Sequence, residues 1–186
     1  MSTAQTTTEP ITFETKLYSL GKWTILRLPK EASAKLPSRG QTMVEGTING
    51  IPFKMPLEPD GLWSHWFAVE EPLLVASKAA AGDTVKMQIT PIKDWPEPPV
   101  PADLQKAINA DTQVRELWQH ITPMARWEWV RWTRSTGSSE TRARRIAVAC
   151  SKLKSGKRRP CCWNRNLCTE PSVSKNGVLL EADSPD

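Results

Sequence analysis

The segment 94–101, Asp-Trp-Pro-Glu-Pro-Pro-Val-Pro, is the strongest constraint on what this chain can fold into. Four prolines in eight residues remove backbone donors and favour extended polyproline geometry, so neither a helix nor a central strand can run through it. The chain is therefore read as two parts, and its charge divides at the same place. Residues 1–100 carry ten Lys and Arg against eleven Asp and Glu, whereas 101–186 carry fifteen against nine. Within 126–165, twelve basic residues face only Glu128 and Glu140. At 186 residues, either side is long enough for a small core of its own.

Before the prolines, apolar residues alternate with period two. Ile51, Phe53, Met55 and Leu57 share one strand face, and Val85, Met87 and Ile89 share another against Lys86, Gln88 and Thr90. Asn49-Gly50, between two such runs, is the dipeptide best suited to the positive φ angles of a two-residue hairpin turn. Pro59-Asp60-Gly61 offers a turn into a further strand over 62–69, and 11–20 and 23–28 read as two more strands. Short helices are expected over 30–36 and over 71–81, the second stopped by Gly82. Six short strands and two small helices in under 95 residues point to a β-barrel, which closes its own edges.

After the prolines the period lengthens to that of helices. Leu104, Ala107 and Ile108 mark one, and Asp111 caps a second with Val114, Leu117, Trp118 and Ile121 as its stripe. Thr122-Pro123 starts a third, and Ser138 or Ser139 starts a fourth that buries Ala143, Ile146, Cys150 and Leu153. The expected fold class is α+β: an N-terminal small six-stranded β-barrel with two short helices over 11–93, then a Pro-rich linker over 94–102. A small helical module follows over 103–170, and an irregular tail over 171–186.

Composition excludes several classes. No run approaches the ~18 apolar residues that cross a bilayer, and residues 1–10 lack the basic and apolar regions of a signal peptide. A soluble, cytoplasmic chain without membrane insertion is expected. All four cysteines (Cys150, Cys161, Cys162 and Cys168) lie late in the sequence, which is not a disulfide framework. Adjacent Cys161 and Cys162 chelate one ion poorly, so free thiols rather than a metal site are expected. No phosphate loop, dinucleotide fingerprint or nucleophile elbow is present, and no cofactor is implied.

Two stretches carry a family resemblance. Glu140-Thr141-Arg142-Ala143-Arg144-Arg145-Ile146, with Gly156-Lys157-Arg158-Arg159 after it and Trp129-Val130-Arg131-Trp132 before it, resembles the C-terminal module of the bacterial YdeI/OmpD-associated, or bacteriocin-protection, family. Residues 44–53, Pro59-Asp60-Gly61, His65 and 81–85 resemble the uncharacterised small β-barrel domain often fused in front of that module. Together they cover roughly residues 11–170. The resemblance implies a link to tolerance of bacteriocins and cationic antimicrobial peptides, and it carries over no catalytic residue.

Three constellations are candidate sites. His65 sits in Leu62-Trp63-Ser64-His65-Trp66-Phe67, where strand alternation places it with Trp63, Phe67 and Val69 on one apolar face. Such a ring is either a core histidine with hydrogen-bond partners or, with Trp63 and Phe67, the wall of a ligand site. The helix from Pro123 holds Trp127, Trp129 and Trp132 among Arg126, Arg131 and Arg134, and reads as a packed core helix or as an aromatic and guanidinium surface for bases or an acidic partner. The basic run Arg142, Arg144, Arg145, Lys152, Lys154, Lys157, Arg158 and Arg159 is either paired within the domain or a phosphate-attracting patch. The expected function is a non-enzymatic binding or stress-protection protein with a small-molecule or protein partner. The alternative is a nucleic-acid-associated protein using the basic, Trp- and Arg-rich C-terminal helices.

Overall fold

The computed structural model describes residues 9–160, apart from Lys22 and Gly137. The expectations for Cys161, Cys162, Cys168 and the tail fall outside the described residues. The chain passes from one compact unit to a second between Lys93 and Asp94.

The first unit is the expected closed six-stranded antiparallel barrel. Its elements run β1 (Ile11–Leu20), β2 (Trp23–Arg27), α1 (Lys30–Ala34), β3 (Thr42–Ile48), β4 (Ile51–Pro59), β5 (His65–Val69), α2 (Glu71–Ser77) and β6 (Thr84–Pro91). Neighbours around the barrel are β1-β2-β5-β4-β3-β6, with β6 pairing back onto β1, so no strand edge is left open. The period-two faces meet inside: Leu17, Leu26, Val44, Leu57, Phe67, Val85 and Ile89 are buried together. Ile48 pairs with Ile51 across the hairpin, where Asn49 and Gly50 take φ of 49° and 82°. At Gly46 the β3 backbone lies so close to β6 that a Cβ would stand 1.9 Å from the Gln88 carbonyl oxygen.

Two sequence expectations are corrected here. The strand expected over 62–69 begins only at His65, because Gly61 and Trp63 both adopt positive φ, 75° and 71°, which no extended strand tolerates. The helix expected to reach residue 81 ends at Ser77, where Lys78 takes the left-handed conformation (φ 52°) that Gly82 was expected to supply.

The second unit contains α3 (Ala102–Asn109), α4 (Thr112–His120), α5 (Pro123–Arg134) and α6 (Ser139–Lys154). Their starts follow the sequence: Asp111, Thr122 and Ser138 side chains accept from the backbone N–H groups of Val114, Ala125 and Thr141. The core joins Leu104, Ile108, Val114, Trp129, Val130, Ile146, Ala149 and Leu153. Ala143, expected inside, is exposed and Cys150 is only half-buried, while Ala149 joins Ile146 and Leu153 in the core. The proline segment is bonded to this unit: the Pro96 carbonyl accepts from Trp127 Nε1 at 2.7 Å and the Pro99 carbonyl from Arg134 at 3.3 Å.

Candidate functional site

His65 opens β5 and is completely buried, with Phe67 on the same interior face. Its Nε2 lies 2.8 Å from the Gly40 carbonyl oxygen, which can only accept, so Nε2 carries the proton. Nδ1, 2.8 Å from Ser33 Oγ, therefore accepts the serine hydroxyl proton. Ser33 belongs to α1 and is buried as fully as the ring. Burial holds the imidazole below its usual pKa and the neighbouring Arg39 guanidinium adds to that, while the Gly40 hydrogen bond and Asp60 oppose it. The histidine thus ties β5, α1 and the segment before β3 together as a neutral ring.

Trp63, expected beside His65 on the interior face, stands on the other side of the wall with 78% of its surface exposed. The cause is local: Asp60, itself buried, accepts from the N–H groups of Leu62 (2.7 Å) and Ser64 (2.8 Å), and its own N–H donates to the Ser64 carbonyl. That tight loop everts Leu62 and Trp63 before the strand begins. Ser64 Oγ donates to the Leu28 carbonyl at 2.7 Å and fastens the loop to the end of β2. Arg39 reaches over from the segment after α1, donating to the Trp63 carbonyl at 3.5 Å and to the Ser33 carbonyl. Alternation alone did not separate Trp63 from His65, and the Asp60-Gly61 turn signal was the residue-level sign that it should be separated.

Shallow grooves lie elsewhere on this unit, one bordered by Glu45, Gly46, Phe53, Lys54 and Gln88, another by Thr24, Leu74, Lys78 and Asp83. Neither is bordered by His65, Trp63 or Phe67.

In the helical unit, Trp127 and Trp129 are buried, and their indole N–H groups donate to the carbonyls of Pro96 and Arg158. Trp132 is half-buried, edge-on to Trp129, with Arg145 and Lys152 each within 6 Å of its ring centre. The basic run is largely engaged. Arg142 grips Asp103 through two nitrogens, at 2.6 and 2.8 Å, which holds that carboxyl below its usual range. Arg145 donates to the carbonyls of Trp132 (2.6 Å) and Ser135 (3.1 Å), and Arg142 to that of Thr133 (3.2 Å), so both satisfy the C-terminal end of α5. Arg144 pairs with Glu140, Lys154 with Asp111, Arg159 with the buried Glu128, and Lys152 donates to the Pro160 carbonyl. Lys157 and Arg158 are exposed. Among the described residues, no cluster of three or more His, Cys, Asp or Glu could hold a metal ion, and no helix is long and apolar enough to cross a membrane.

Comparison with known families agrees with the resemblance in the sequence. Residues 97–156 match the family described as bacteriocin-protection, YdeI or OmpD-associated, and residues 13–89 match a domain of unknown function, DUF1905. No curated protein matches the chain.

Proposed function

We propose, from the match of residues 97–156 to the bacteriocin-protection, YdeI or OmpD-associated family and of residues 13–89 to DUF1905, that the chain is a cytoplasmic, non-enzymatic binding protein contributing to bacteriocin tolerance. The observation that carries the non-enzymatic part is the engagement of His65. A general base needs a lone pair facing a substrate proton, whereas Nδ1 already accepts from Ser33 and Nε2 already donates to the Gly40 carbonyl, with His65 and Ser33 both fully buried. The ring therefore serves the wall of the barrel, joining β5, α1 and the segment before β3.

The chain's formal charge of +5 argues against capturing cationic peptides by direct attraction, since like charges repel at long range. On this reading protection runs through a partner of the chain rather than through electrostatic capture of a cationic toxin. The arginines of the Glu140–Ile146 run serve the helical unit, whose helix ends and ion pairs they complete.

Survival of a bacteriocin-sensitive bacterium expressing the chain, against the same strain with an empty vector, tests the reading. Raised survival with the protein in the soluble cytoplasmic fraction is expected. Equal survival at matched, folded expression would remove the protective role.

A further inference from the structure

The end of the barrel beside α1 presents an exposed aromatic that the fold takes trouble to place. Trp63 is 78% exposed and Leu62 47%, whereas most large apolar residues of the described chain are covered. Trp63 also holds φ at 71°, a conformation that disfavours any residue with a bulky side chain and that persists only where surroundings impose it. Here they do: the buried Asp60 carboxylate accepts from the N–H groups on both sides of Trp63, and Arg39 donates to its carbonyl. The neighbouring exposed segment, Pro37 to Gly40, is held by the buried His65 through the Gly40 carbonyl and by Arg39 on Ser33. Two loops that would ordinarily be mobile are thus fixed from beneath by buried polar groups, with an indole and a guanidinium on top. Preorganisation of this kind lowers the ordering cost of association, and Trp and Arg are the residues that most often dominate interface energies.

We propose that Trp63, Leu62, Arg39 and Pro37 form a preformed docking surface for a polypeptide segment that carries an acidic residue beside an apolar one. Charge chooses the partner. Exposed Lys30, Lys35 and Arg39 on α1 and the segment after it face only one exposed acid there, Glu31, because Asp60 is buried and bonded to the loop amides and to Arg27. A carboxylate meets Arg39 while an aromatic or leucine side chain covers Trp63 and Leu62. The surface deepens the binding role proposed above by naming where the cellular partner sits and its chemistry.

A phage-displayed library of random twelve-residue peptides, panned on the full chain, tests it. Recovered peptides are expected to place Asp or Glu next to Phe, Trp or Leu. Their affinity by fluorescence anisotropy should weaken at least tenfold on Trp63→Asn, on Leu62→Ser and on Arg39→Gln, and should fall with added salt. Asn tolerates positive φ, and Leu62→Ser leaves every backbone bond of the loop in place, so at least these two variants keep the fold as checked by circular dichroism. No enrichment over a tag-only bait, or equal affinity for the wild type and the Trp63 and Leu62 variants, overturns the proposal. So does Trp63-dependent binding to phosphatidylglycerol vesicles, or Trp63-dependent dimerisation in sedimentation, in the absence of selected peptides. None of these readouts depends on bacteriocin survival, so a failed surface and a failed protective role are told apart.

Discussion

At the scale of single residues, two neighbours in sequence have opposite characters. His65 links three elements through two 2.8 Å hydrogen bonds, and His65→Gln should cost about 1–3 kcal/mol in urea unfolding because it leaves Ser33 or Gly40 without a buried partner. The same ring gives a pH signature. Its pKa is lowered in the fold, so below the unfolded value of about 6.5 the unfolded chain takes up the proton first. The histidine's contribution is complete above that pH and is lost as pH falls from it toward the lowered folded value. The slope of stability over that window should be shallower in His65→Gln. Trp63→Asn, by contrast, should leave stability unchanged or raise it by up to ~1 kcal/mol, since it relieves a left-handed tryptophan and gives up little buried surface.

At the scale of elements, the helix starts and the hairpin were legible because they depend on side chains a few residues away: Asp111, Thr122 and Ser138 cap as their spacing implies, and Asn49-Gly50 turns. The start of β5 was not, because period two continues through Trp63 while the Asp60 loop, a short but three-dimensional hydrogen-bond arrangement, reverses the chain there. A packed Trp-rich helix was one of the readings offered, but the partner of Trp127 was not legible, since the Pro96 carbonyl lies 31 residues away. The role of the basic run was half legible: Glu140 at i−4 forecasts the Arg144 pair, but nothing local forecasts that Arg145 reaches the end of α5. That difference is measurable. Arg145→Ala should lower stability by about 1–3 kcal/mol through unsatisfied carbonyls, while Arg144→Ala, an exposed i,i+4 partner, should change it by under ~0.5 kcal/mol. In the barrel, Gly46→Ala should cost about 3 kcal/mol, because the atoms its Cβ meets are β6 backbone and cannot turn aside without parting two strands.

At the scale of the whole molecule, much of the basic run of the helical unit is engaged by internal bonds, and among the described residues Trp63 of the barrel is the most exposed large apolar side chain. The barrel matches a domain of unknown function and the helical unit a bacteriocin-protection family, and the tryptophan loop of the first is where partner recognition is proposed. The most direct measurement is bacteriocin survival of cells expressing, at matched levels, the wild-type chain or Trp63→Asn. The wild type is expected to raise survival, and the variant, folded and at least as stable, is expected not to. Equal protection by the two would contradict the proposal.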